Sequence, residues 1–196
     1  MNSPPGAGHS NAPPPFWALF IATGGFTGYS PWASGTVGTL AGLLIVLIPG
    51  ATEPLTLGIL IVAGFLLGAV ASRTVADHVG HRLTRSAEMA KERFQPGGHT
   101  VPDPSIVVID EIVGIWISLL FLPLSIPAYV CAFLLFRAFD ILKPPPAGRL
   151  ENIAGGWGIM LDDVVAGIYA NLVSQVIIRF FLPSSVVLGA LVVIFP

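Results

Sequence analysis

Ile106-Val-Val-Ile109-Asp110-Glu111-Ile-Val-Gly114-Ile-Trp116-Ile-Ser-Leu-Leu-Phe-Leu122 is an apolar run with two adjacent acids near its start. Its hydrophobic content reads as a membrane helix, and a bilayer-embedded segment should not tolerate the charges. Two further apolar runs break the same rule. Ala128–Leu142 ends on Arg137, Asp140 and Lys143, and Gly158–Leu182 carries Asp162-Asp163 near its start. Ionisable side chains near hydrocarbon cost about 2.5 to 3.5 kcal/mol each on insertion scales, so such a cluster needs pairing, water or a cation to persist. If the chain folds as a bundle, all of these groups meet at one face and mark a functional site.

The composition supports the membrane reading, because 54% of the 196 residues are hydrophobic and 10% are charged, against about 25% charged in a soluble domain. The expected fold is an all-α, multi-span integral membrane bundle with short or re-entrant segments. A net charge of -2 excludes a general attraction to nucleic acid. The single cysteine, Cys131, forms no intrachain disulfide. Residues 1–15 hold five prolines and lack the basic and apolar regions of a signal peptide. They read as a disordered leader, followed by a single membrane-embedded domain over 16–196.

The apolar stretches run roughly Phe16–Ala22, Val37–Pro49, Leu55–Ala71, Ile106–Leu122, Ala128–Leu142, Gly158–Leu182 and Val186–Phe195. A spanning helix wants about 20 residues, so several are short, and glycine and proline punctuate the gaps. Four or five spanning helices plus re-entrant pieces are expected. The polar stretch Ser72–Asp103 carries Arg73, Arg82, Arg85, Lys91 and Arg93 and reads as a cytoplasmic loop. Outward passage through Ile106–Leu122, return through Ala128–Leu142 and exit through Gly158–Leu182 follow from it. On that path Asp110-Glu111, Asp140 and Asp162-Asp163 lie at one depth near the inner surface. Ile109-Asp-Glu-Ile-Val-Gly114 also echoes Leu161-Asp-Asp-Val-Val-Ala-Gly167. In each, a glycine below the acids permits close approach of another helix.

Oxygen-only clusters of Asp and Glu suit a hard cation such as Mg²⁺, which takes one or two carboxylates and is completed by water and substrate phosphate. Calcium and manganese fit the same donor set. Arg137 and Lys143 match phosphate oxygens, one as a planar fork and the other as a point charge. The glycine-rich stretch Gly24–Thr39, with Gly35, Thr36 and Thr39 at its helical end, adds backbone N–H groups and hydroxyls at a helix start, an anion-binding geometry. Within the motifs five acids (Asp110, Glu111, Asp140, Asp162, Asp163) face two bases, too many for structural ion pairs alone.

Four motifs in order carry a family resemblance. They are Gly35-Thr-Val-Gly-Thr39, Asp103-Pro-Ser-Ile-Val-Val-Ile-Asp110-Glu111-Ile-Val-Gly114, Phe136-Arg-Ala-Phe-Asp140-Ile-Leu-Lys143-Pro144 and Gly155-Gly-Trp-Gly-Ile-Met-Leu-Asp162-Asp163-Val-Val-Ala-Gly167. Over about Thr23 to Leu172 the chain resembles phosphatidylglycerophosphatase A, with Ser34 standing where a proline is expected. The resemblance implies an all-helical, Mg²⁺-dependent hydrolase that converts phosphatidylglycerophosphate to phosphatidylglycerol and phosphate at the cytoplasmic side of a bacterial inner membrane. Asp110, Glu111, Asp162 and Asp163 are then the metal candidates. Asp140 or Asp163 is the general base or nucleophile, and Arg137 and Lys143 bind and neutralise phosphate together with Gly35, Thr36 and Thr39.

Two rival readings stand beside this one: a phosphatase of another lipid phosphate, and a small transporter. A transporter predicts charges near the bilayer midplane, whereas these lie near one surface. The Cys131-x5-Arg137 spacing imitates cysteine-dependent phosphatases, but the intervening Ala-Phe-Leu-Leu-Phe reads as an apolar helix with no free N–H groups. His78 and His81 read as solvated. Asp103, ahead of Pro104, reads as a helix cap or a further surface acid.

Overall fold

The structure of the chain, a computed structural model, describes residues 13–91, 106–150 and 156–181. Among the described residues there are seven α-helices, one 3₁₀ turn (Thr27–Tyr29) and no strand. The helices are α1 (Phe16–Ala22), α2 (Ser34–Val46), α3 (Pro54–Lys91), α4 (Ile109–Leu119), α5 (Ile126–Leu142), α6 (Ala147–Leu150) and α7 (Gly156–Phe181). The all-helical expectation holds. The leader up to Ala12, Asp103, Gly155 and the apolar run Val186–Phe195 lie outside the described residues.

Helix α7 is the hub, packing against α3, α4, α5 and α6, while α2 lies on α4 and α1 on α3. Small side chains make this possible: Ala166, Gly167, Ala170 and Ser174 are all buried on α7. A Cβ added at Gly167 would stand 2.6 Å from the Gly114 carbonyl oxygen and 3.1 Å from Ile117 Cβ. Only glycine lets the α4 and α7 backbones come this close. The echo between the two acidic motifs is thus a contact, with the glycine below each acidic pair meeting the other.

Among the described residues, two helices are long and apolar enough to cross a membrane, Pro54–His78 and Gly156–Phe180, at 25 residues each. The lipid-side character of α3 shows in Leu55, Ile59, Val62, Leu66 and Val70, which are large, apolar and exposed. Helices α2, α4 and α5 have 13, 11 and 17 residues, short of the roughly 20 a span requires. Where the sequence predicts a helix across Ile106–Leu122, the structure stops at Leu119, and Phe121 takes a left-handed φ of 61°. The carbonyls this break releases have a partner. Asn171 Nδ2 on α7 donates to Ser118 O at 3.0 Å and to Leu120 O at 2.7 Å. Gln175 Nε2 holds the Asn171 Oδ1 at 2.7 Å. A broken helix at membrane depth survives where protein groups satisfy its backbone in this way.

The polar stretch expected as a loop from Ser72 also differs, because α3 runs on without interruption to Lys91. Its sequence explains this: Arg82, Leu83, Arg85, Ala87, Glu88, Met89 and Ala90 are residues of high helix propensity. The 38 residues of α3 reach about 57 Å at 1.5 Å per residue, so its last turns leave any bilayer core of about 30 Å.

At the other end of the short segments, Ser125 caps α5 by accepting from Ala128 N at 3.3 Å, with a proline in the first turn.

Gly167→Ala is expected to lower the thermal unfolding midpoint in detergent, at a cost of about 1–3 kcal/mol for overpacking. Gly58→Ala, where an added Cβ meets nothing within 4 Å, should leave the midpoint unchanged or raise it. Equal midpoints for the two variants would contradict the close crossing.

Candidate active site

The first turn of α4 carries Asp110 and Glu111, where the positive end of the helix dipole favours acids. Val108 N donates to Ala22 O at 2.9 Å, tying this turn to the end of α1. Across the α4–α7 crossing stands Asp163. Asp110, Glu111 and Asp163 each offer a carboxylate oxygen within 4.8 Å of the other two. Asp110 and Asp163 are buried, and Glu111 Oε2 and Asp162 Oδ1 are buried atoms that accept no hydrogen bond.

The two bases of the motifs are held by the other two acids. Arg137 Nη1 donates to Asp140 Oδ2 at 2.5 Å, one helical turn apart on α5. Lys143 Nζ lies 2.9 Å from Asp162 Oδ2, joining the end of α5 to α7. Asp140 in turn faces Asp163 and Glu111, so the Arg137–Asp140 pair borders the three-acid group. Of the five acids, Asp140 and Asp162 bind the bases and the other three converge on one another.

Helix α2 approaches the same place through Gly35. A Cβ there would collide with Glu111 Oε1 and stand 3.1 and 3.2 Å from the Arg137 Nη atoms. The opening turn of a helix, with its unsatisfied N–H groups, therefore abuts a carboxylate and a guanidinium at once. Thr36 is half-buried in that turn. Thr39 is fully buried and its hydroxyl donates to Gly35 O at 2.7 Å, so this group is engaged inside the helix.

Other sequence candidates fall elsewhere. Cys131 is a half-buried free thiol in the middle of α5, and His78 Nδ1 lies 2.7 Å from Thr74 O on its own helix. Two polar residues that the motif reading passes over prove structurally important. Asn171 holds the broken end of α4, and Tyr169 Oη donates to Pro145 O at 2.8 Å. The signal for Asn171 was present in the spacing, since Gly167, Asn171 and Gln175 follow Asp163 at intervals of four along α7; Tyr169 lies outside that series.

This donor set fits a hard divalent cation: three carboxylates from two helices, all oxygen, with the buried Glu111 Oε2 lacking any protein partner. The cations Arg137 and Lys143 and the start of α2 supply groups of the kind that an anionic oxygen ligand requires.

Comparison with known proteins gives a consistent family. Residues 20–178 match the family described as phosphatidylglycerophosphatase A. A Bacteroides thetaiotaomicron protein, provisionally named phosphatidylinositol-3-phosphatase, is 35% identical over 83% of this chain and 94% of its own length. The phosphatidylglycerophosphatase A of Escherichia coli is 32% identical over 78% of this chain and 77% of its own. That of Haemophilus influenzae is 36% identical over 78% and 83% respectively. No solved structure matches the chain.

Proposed function

Because the chain belongs to the phosphatidylglycerophosphatase A family, we propose that it is the membrane lipid phosphatase that removes the terminal phosphate of phosphatidylglycerophosphate, leaving phosphatidylglycerol. One observation carries this reading. The five motif acids and two motif bases sort into two ion pairs and one three-acid group, with Glu111 and Arg137 against the first turn of α2. A phosphomonoester needs cations for its oxygens and a carboxylate for proton transfer, and both kinds of group lie within this small volume.

In this reading Asp110, Glu111 and Asp163 hold Mg²⁺. A bound Mg²⁺ would supply charge neutralisation for the phosphate and Lewis acidity toward water. The protein's own residues do the rest. Arg137 and the N–H groups of the first α2 turn, which includes Gly35 and Thr36, bind the phosphate oxygens, and Lys143 adds a second positive charge. Asp162 holds Lys143 in place, and its second oxygen is buried without a hydrogen-bond partner. Asp140, fixed by Arg137 and facing Asp163, accepts the proton of the attacking water as the phosphorus–oxygen bond to glycerol breaks. The glycerol oxygen leaves and takes up a proton from solvent, and Asp140 returns its own to solvent afterwards. Positioning and electrostatics account for most of the acceleration, as in phosphoryl transfer generally.

The site belongs at the inner surface of a bacterial cytoplasmic membrane in a single domain over 16–196. Supporting this, the start of α7 rests on α3 at Ala69 and Arg73, where the apolar run of α3 gives way to its basic extension. Gly68 meets Met160 and Ile109 at the same level, next to Asp110 and Asp162. The name of the Bacteroides relative favours a second reading in which the phosphate sits on an inositol headgroup. The chemistry is the same, and only the group beyond the scissile oxygen differs.

Purified protein in detergent should release phosphate from phosphatidylglycerophosphate in the presence of Mg²⁺ and fall to background with excess chelator. Full turnover under chelation would reject the metal role. Faster release from phosphatidylinositol 3-phosphate would decide for the second reading. Glu111→Gln and Asp163→Asn should each lower kcat by about 10²–10³, the range for removing one preorganised electrostatic group. Mg²⁺ should raise the unfolding midpoint of the wild type, through preferential binding to the folded state, and not that of Glu111→Gln. A Mg²⁺ shift of wild-type size in that variant would remove Glu111 from the ligand set.

A further inference from the structure

Lys143 sits in an unusual piece of backbone. It ends α5 with φ 44° and ψ 58°, a left-handed conformation that costs energy in any residue but glycine and persists only where the surroundings impose it. Pro144, Pro145 and Pro146 follow directly. They stiffen the turn but have no N–H with which to anchor it. Ala147 N and Arg149 N hold the Pro144 and Pro146 carbonyls from the side of α6, and α7 supplies a further anchor. Tyr169 Oη donates to Pro145 O at 2.8 Å, and its ring packs edge-on against Phe139 with centroids 5.8 Å apart. Phe139 is the residue whose carbonyl accepts the Lys143 N–H at 2.8 Å. One side chain therefore holds both flanks of the turn, the last turn of α5 through Phe139 and the proline run through Pro145.

The Lys143 side chain then reaches back to Asp162 on α7. Asp162 precedes Tyr169 by seven residues, two helical turns along the same stripe. Helix α7 thus grips this turn twice on one face, once through the lysine head and once through the backbone behind it. We propose that Tyr169 is a positioning residue for Lys143. Its hydroxyl fixes the left-handed turn and thereby aims the ammonium at Asp162 beside the acidic group. The consequence for turnover rests on the reading of Lys143 as a phosphate-neutralising base, while the positional claim does not.

Tyr169→Phe removes one oxygen and keeps the ring contact, so it tests the hydroxyl alone. Phosphate release from phosphatidylglycerophosphate is measured for wild type, Tyr169→Phe, Lys143→Met and the double variant. Tyr169→Phe should lower kcat/KM about threefold to tenfold, the worth of one net hydrogen bond. In the Lys143→Met background the same change should cost no more than about twofold, since coupled residues are not additive. Loosened packing of α5 on α7 would cost equally in both backgrounds, and that result overturns the proposal. A second measurement needs no turnover: limited labelling by an amine-reactive reagent, read at Lys143 by mass spectrometry. Labelling of Lys143 should be faster in Tyr169→Phe than in wild type, and an unchanged rate overturns the proposal. If wild type released no phosphate from any lipid, the functional reading would fall, and the labelling result would still decide the role of Tyr169.

Discussion

Three carboxylates held within 4.8 Å of one another inside an apolar bundle impose the constraint on which the rest of this structure depends. Like charges at that range repel by roughly 3 kcal/mol per pair even at an effective dielectric of about 20. Three such pairs amount to about 10 kcal/mol, comparable with the whole stability of a typical domain. Arg137 and Lys143 are each drawn to a flanking acid. A proton shared among the acids or a counter-charge at the centre relieves this repulsion, so the state of the cluster bears on the fold as well as on the chemistry. Where a divalent cation is the group that relieves it, the three carboxylates are already placed to hold that ion.

What brings the acids together is the α4–α7 crossing. Asp110 and Glu111 lie one turn from Gly114, and Asp163 one turn from Gly167, and these two glycines meet backbone to backbone. Any side chain at the crossing would lever the helices apart and separate the carboxylates with them. The shortness of α4 belongs to the same design. A helix buried on nearly all sides and ending inside the bundle leaves carbonyls that lipid cannot satisfy, and Asn171 supplies their donors from one turn below Gly167. Along α7, residues 163, 167 and 171 thus provide charge, close approach and capping in succession.

Much of this was legible in the chain itself. Acids placed in apolar runs, their excess over Arg137 and Lys143, and glycines below each acidic pair are local facts that burial energetics convert into a shared site. Pair identities were less so. That Arg137 takes Asp140 follows from a spacing of three on one helix, but that Lys143 takes Asp162 depends on the left-handed turn and on Tyr169, which no local pattern announces. Helix lengths misled for a related reason. Hydropathy marks Ile106–Leu122 as one apolar segment and cannot see that Asn171 makes a stop at Leu119 tolerable. The basic stretch after Ser72 reads as a loop from its charge, yet helix propensity carries α3 on to Lys91. Gly35, singled out for its helix start, proves to matter as well for the space it leaves beside Glu111 and Arg137.

The same geometry bears on whether such a bundle conducts or catalyses. A transport path needs polar groups that remain available to a passing ion on both sides of its binding site. Here several of the polar residues beyond the acids are turned to other uses. Ser118 Oγ donates to Gly114 O, Asn171 to the end of α4, and Gln175 to Asn171. Just below the carboxylates the Gly114–Gly167 crossing closes the seam at backbone contact. Toward the start of α7, by contrast, the side chains of Arg137 and Lys143 remain partly exposed at 18% and 30%. A site sealed beneath and partly open beside its cations suits a ligand that enters and leaves by one side, which accords with the proposed phosphatase rather than with a conducting path.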